Sequence, residues 1–95
     1  MLIQPTGLSQ IGITQVIEIL PNPFGAYLTI SVNGHEAGAG LLRYRITDYT
    51  GRLISEGQLP EGDNLIEMSQ QAAGIYLITI YSATGQATYK VVKLQ

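Results

Sequence analysis

The 95-residue chain predicts an all-β fold, an antiparallel sandwich of about seven short strands. Three observations predict it. Apolar and polar residues alternate with period two in segment after segment, the mark of a half-buried strand. Turn signals recur every ~8–12 residues, the spacing of a sandwich. No window holds a sustained helical period.

Taken in order, Met1 to Gln10 holds Pro5, Thr6, Gly7, Ser9 and Gln10 and reads as a linker or frayed start. From Ile11 the chain alternates, with Ile11, Ile13, Ile17 and Ile19 on one face and Gly12, Thr14, Val16 and Glu18 on the other, so a strand is expected from Ile11 to Ile19. Pro21-Asn22-Pro23 ends it, because two prolines remove two backbone donors. Phe24, the only Phe, is placed to plug the core after that turn. Alternation resumes from Tyr27 to Val32, followed by a Gly-rich loop from Asn33 to Gly40. Leu41 to Thr47 alternates again. Asp48-Tyr49-Thr50-Gly51 reads as a tight turn with Gly51 in the left-handed position, and Arg52 to Glu56 returns. Pro60 to Asn64 is a further turn and Leu65 to Met68 a short strand. Gly74 opens Ile75 to Tyr81, which is free of charge and expected to be central. Ser82-Ala83-Thr84-Gly85 turns the chain into a last strand, Gln86 to Leu94. Lys90 and Lys93 there suit a partly exposed strand protected by charge.

Composition narrows the function. Hydrophobic residues make up 45% of the chain, enough for a packed core, whereas charged residues are 13% against about 25% in an average soluble chain. A net charge of -2 gives no basic excess for a nucleic acid. No apolar run approaches the ~18 residues of a membrane-spanning helix. The absence of cysteine excludes disulfides, thiol catalysis and thiolate metal sites. The start lacks the basic and long apolar regions of a signal peptide, which fits either an intracellular protein or a piece of a longer secreted one.

No catalytic, cofactor or metal site is expected. His35 is the only histidine and lies in the Gly-rich loop without the three or four converging ligands a metal requires. Asp48, Glu61 and Asp63 are accounted for by turn chemistry, and Glu67 by the polar face of a short strand. Gly38-Ala39-Gly40 lacks the Lys-Ser/Thr sequel of a phosphate loop. The tyrosines are interleaved with strands and read as core or cross-strand partners.

The sharpest signals are therefore turns: Pro21-Asn22-Pro23-Phe24, then Asp48-Tyr49-Thr50-Gly51-Arg52-Leu53, then Gly74-Ile75-Tyr76-Leu77, then the tail Lys90 to Lys93. In this order and spacing, from about Val16 to Gln95, the chain resembles the type A C-terminal sorting domain of cargo proteins of the type IX secretion system of Bacteroidetes. Two departures are Leu20, where the family often has an aromatic residue, and the loop Asn33 to Gly40, which is unusually rich in Gly and Ala.

The resemblance implies an immunoglobulin-like sandwich, with Pro21, Asn22, Pro23, Phe24, Asp48, Gly51, Arg52, Gly74, Tyr76, Lys90 and Lys93 as the sorting motif. It implies residues 1–15 as a linker from an upstream cargo and 16–95 as the sorting domain. The partners it implies are the outer-membrane machinery, that cargo in the same chain, and a sortase-like peptidase that removes the domain. The destination it implies is the cell surface or the medium, by way of the periplasm. The competing reading is a carbohydrate- or cell-surface-binding sandwich used for adhesion. A small enzyme, the third reading, lacks a candidate site.

Overall fold

A computed structural model describes residues 7–11, 15–33, 42–83 and 85–95. They form eight strands: β1 (Gly7–Ile11), β2 (Gln15–Leu20), β3 (Tyr27–Asn33), β4 (Leu42–Asp48), β5 (Leu53–Leu59), β6 (Gly62–Glu67), β7 (Gly74–Ser82) and β8 (Gly85–Lys93). One sheet has the order β1-β2-β3-β6 and the other β5-β4-β7-β8. All the strand pairs are antiparallel, and no helix is among the described residues. The all-β sandwich expected from the sequence is the fold observed.

The alternation that identified the strands also builds the core. In β3 the side chains of Leu28, Ile30 and Val32 are buried, and in β4 those of Leu42, Tyr44 and Ile46. β7 supplies Tyr76, Ile78 and Ile80, and β8 supplies Tyr89 and Val91. Period two gives each strand one inward face, and the two inward faces meet. β7 is interior to its sheet, flanked by β4 and β8, as its lack of charge suggested. In β5 the register shifts by one residue opposite Ile46 and Thr47. Such a bulge bends the strand, and Ile54 here packs against the core.

Three expectations are corrected. The strand expected from Ile11 to Ile19 is two strands, β1 and β2, paired with Ile11 opposite Gln15 and Gly7 opposite Ile19. This register sets odd-numbered residues against odd-numbered ones, so the alternation passes through the reversal in phase and cannot reveal it. The eighth strand arises in this way, and β1 includes Gly7 to Gln10 of the segment read as linker. The third correction is Lys93, which is buried on the inward face of β8, whereas Lys90 is exposed. Gly-rich residues 34–40, with His35, and Thr84 of the last turn lie outside the described residues.

Tyr76 ties down the approach to β7. Its hydroxyl donates to the carbonyl of Ala72 at 2.6 Å, and the residue is only 5% exposed. Gly74, between them, has φ +148°. A Cβ there would meet nothing within 4 Å, so the requirement for glycine is conformational and not a matter of space. A β-branched residue is strained at such a φ. Gly74→Val is expected to cost more than ~1 kcal/mol of stability, read as a lower midpoint in urea unfolding. An unchanged midpoint would show that the backbone relaxes there without cost.

Candidate functional site

The four sequence motifs converge on one end of the sandwich. Asp48, the last residue of β4, pairs with Tyr76 of β7, which pairs with Val91 of β8. Gly74 pairs with Lys93, which is bridged to Phe24. Pro21–Phe24, the β4–β5 turn, the start of β7 and the end of β8 are thus neighbours, although as many as 70 residues separate them in sequence.

The closest association joins Pro21–Phe24 to β8. The inward edge of β8 bonds to β7, which leaves the carbonyls and amides of its even-numbered residues pointing outward. Asn22 meets two of them with its side chain: Nδ2 donates to the Lys90 carbonyl at 3.3 Å, and Oδ1 accepts from the Val92 amide at 2.9 Å. A carboxamide carries one donor group and one acceptor, so here it imitates a peptide unit of an added strand. Phe24 continues the pairing with its backbone. Its amide donates to the Val92 carbonyl at 2.9 Å, and its carbonyl accepts from the Leu94 amide at 2.7 Å.

The two prolines, both preceded by cis peptide bonds, have no amide hydrogen, and the donor to the Lys90 carbonyl is the side chain of Asn22 between them. The Phe24 ring is 1% exposed and fills the core between the sheets, as its position suggested. Two residues on, the Ala26 carbonyl accepts from the Met68 amide at 2.7 Å and fastens the same segment to the end of β6.

The β4–β5 turn is organised by Asp48. One carboxylate oxygen, Oδ1, accepts from the Thr50 amide at 2.9 Å, the Thr50 hydroxyl at 2.6 Å and the Arg52 amide at 3.0 Å. The other, Oδ2, accepts from Arg52 Nε at 3.2 Å. Gly51 closes the turn, its amide donating to the Asp48 carbonyl at 3.0 Å with φ +94°. These donors all favour the carboxylate, and the Thr50 hydroxyl above all holds the Asp48 carboxyl down at about 2. The motif residues Asp48, Gly51 and Arg52 are thus parts of one turn.

Lys93 places a buried basic residue beside them. Its Nζ donates to the Leu94 carbonyl at 3.3 Å. A lysine can bury its stem on apolar surface while its amine reaches a polar rim. Lys90, three residues earlier in β8, faces out opposite Leu77.

Sequence reasoning missed a further property of this end. The exposed large hydrophobic residues among the described ones are Leu20, Tyr27, Tyr49, Leu53, Leu65, Ile75, Val92 and Leu94. Leu20 ends β2, Tyr27 opens β3, Leu53 opens β5, Ile75 opens β7 and Val92 lies near the end of β8. Leu65 is near the end of β6, opposite Thr29, which Leu20 also faces. All eight therefore lie in the motif half of the molecule. Each appears singly in the sequence, and only the alternating up-and-down course of the strands brings them to one end.

Among the described residues no group of three or more His, Cys, Asp and Glu could hold a metal ion. What this end offers is shape, apolar surface and a pinned strand edge.

Two predictions follow from this geometry. Asn22→Ala leaves two groups of β8 to water or to nothing and is expected to cost about 1–2 kcal/mol, with faster amide hydrogen exchange at Val92. Asn22→Asp keeps the acceptor for Val92 but opposes a carboxylate to the Lys90 carbonyl, so its midpoint should also fall. A Val92 amide that exchanges equally fast in all three proteins would contradict the pairing. For Asp48, a folded value of about 2 against about 3.9 in an unfolded chain contributes stability that is complete above about pH 4 and lost as pH falls through about 2. The melting temperature should drop over that interval. Asp48→Asn should start lower at neutral pH and fall less.

The comparisons with known proteins bear on the family. No curated protein matches the chain. The family profile described as the secretion system C-terminal sorting domain matches residues 18–94, a span that begins in β2 and takes in both the Pro21–Phe24 segment and the strand edge it covers. The chain therefore belongs to the family of type IX secretion C-terminal sorting domains.

Proposed function

We propose that the domain is a non-catalytic sorting signal read as a folded surface, and that the surface is the end of the sandwich where the motifs meet. Membership of the family makes it a secretion signal, with export to the medium or the cell surface as its consequence. The observation that carries the finer reading is the coincidence of the family's motif residues with the exposed apolar side chains, Ile75, Val92 and Leu94 among them, at that one end. A single-ended apolar surface on a domain this small is the ordinary mark of a docking site.

The surface is composite. It needs Pro21–Phe24, the Asp48 turn, the start of β7 and the end of β8 together, so a linear peptide from any of them would not reproduce it. A signal used by unrelated cargoes cannot depend on cargo chemistry, and a self-contained folded shape meets that requirement. In this reading the outer-membrane machinery of the type IX system binds the motif end. The cargo precedes the domain in the same chain, and a sortase-like peptidase removes the domain on export.

The test is a fusion of the chain to a signal peptide and a reporter, expressed in a type IX-competent host and fractionated. The intact fusion should reach the surface or medium. Deleting Val91 to Gln95 removes the edge that Asn22 and Phe24 bind and should leave the reporter in the periplasm. Ile75→Lys with Val92→Glu alters only exposed positions and sets opposite charges across one strand pair, so it should preserve the melt and still block export. Normal surface delivery of both variants would refute the motif end as the recognised surface. Retention of the intact fusion in a host exporting its own cargo would refute the sorting role of this chain.

A further inference from the structure

Away from the motif end, the outer surface of the β5-β4-β7-β8 sheet has a different composition. Its side chains form rows across the four strands. The row farther from the motif end is Gln58, Arg43, Tyr81 and Gln86, and the next is Glu56, Arg45, Thr79 and Thr88. Neither contains an aliphatic side chain. The third row, Leu53, Thr47, Leu77 and Lys90, is where the apolar surface of the motif end begins.

The three rows carry Arg43, Arg45 and Lys90, all exposed, against one acid, Glu56. Arg45 and Glu56 are 3.9 Å apart and half exposed, a pairing weak enough to be exchanged for a better acceptor. Among the described residues no acid pairs with Arg43 or Lys90. The Arg45 guanidinium lies 5.8 Å from the centre of the Tyr81 ring, close enough for the ring to hold it in place. Between and beside the cations are neutral groups that both donate and accept: the Thr79 and Thr88 hydroxyls, 3.1 Å apart, and the exposed carboxamides of Gln58 and Gln86. The outward side chains of the other sheet include Glu18, Asp63 and Glu67 and, among the described residues, no base. The attraction of the domain for an anion is therefore confined to one face.

We propose that this face docks an acidic polysaccharide, a chain of sugars that bears carboxylates. Guanidinium forks match carboxylates in geometry as well as charge. Arg43 and Arg45 stand ~7 Å apart along β4, and Lys90 is two strands over and one row along, ~12 Å from Arg45. The cations are thus sparse and separated by neutral hydrogen-bonding side chains, which fits a hydroxyl-rich chain with intermittent charges. A nucleic acid, with a phosphate on every residue, calls for denser positive charge. An acidic protein would need an apolar centre to its interface, and the two arginine rows have no aliphatic side chain to supply one. A neutral sugar would make no use of the cations. With three cations, one of them shared with Glu56, on a chain of net charge -2, the association is weak and sensitive to salt. It involves a surface apart from the motif end and does not rest on the sorting role.

The test is an amide chemical-shift titration of the 95-residue chain with oligogalacturonate at low salt, up to about 10 mM, a range that reaches a Kd on the order of 1 mM. Saturable shifts should map to residues 43–45, 79–81 and 86–90 and vanish in about 0.5 M salt. A neutral maltooligosaccharide, an oligoglutamate and a single-stranded oligonucleotide should each bind about tenfold more weakly or not at all. Arg43→Gln with Arg45→Gln alters two exposed positions, so it should keep the melting temperature and weaken oligogalacturonate binding about tenfold or more. The mapping in the unaltered protein is independent of whether that variant folds. The proposal is overturned if no shifts appear by about 10 mM, or if they map to the acidic sheet or the motif end. It is equally overturned if the neutral sugar, the peptide or the oligonucleotide binds as tightly, or if the double variant, melting like the original, keeps its affinity.

Discussion

The architecture depends on a carboxamide acting as a backbone. Pro21 and Pro23 have no amide hydrogen to offer the edge of β8, and the Asn22 side chain between them bonds to both Lys90 and Val92. From there the main chain of Phe24 continues the pairing and its ring enters the core. One short segment thereby closes an exposed strand edge, fills the end of the core and joins the two sheets. Unpaired edges invite pairing with other chains, and β8 is adjacent to the most apolar strand of the molecule, so the cover has consequences beyond local stability.

Around that contact the other motifs have distinct physical tasks. Asp48 gathers four donors from Thr50 and Arg52 and holds the β4–β5 turn in one shape. Gly74 permits the φ that lets the Tyr76 hydroxyl return to Ala72. The hydrogen-bond register then sets these features side by side, Asp48 against Tyr76 and Tyr76 against Val91. The residues read from the sequence as a sorting motif describe, in this sense, how one end of a sandwich is finished. They are dispersed in sequence because each group belongs to a different strand terminus.

The strands were legible because a two-sided environment writes a period of two into the sequence, as in Leu28, Ile30 and Val32. Turn residues were legible for the same local reason: Gly51 and Asp48 act within four positions of each other. The β1–β2 reversal was hidden because its register preserves parity. Lys93 was misjudged because its charge suggested exposure, whereas its place in the alternation with Tyr89 and Val91 puts it inward. The role of Asn22 could not be read at all, since its partners lie 68 and 70 residues away.

The separation between Asn22 and its partners also bears on when the domain can fold. Contacts between residues far apart in sequence require the closure of long loops before they are rewarded, and chains rich in them fold slowly. Here the first loop of the matched region is completed by residues 90–94, so the sandwich end cannot form on a nascent chain that has not yet released them. Until then Phe24 has no finished core to enter and the edge of β7 has no β8. That end of the sandwich is therefore completed late, and a chain broken off before its last strand lacks the edge that Asn22 and Phe24 bind.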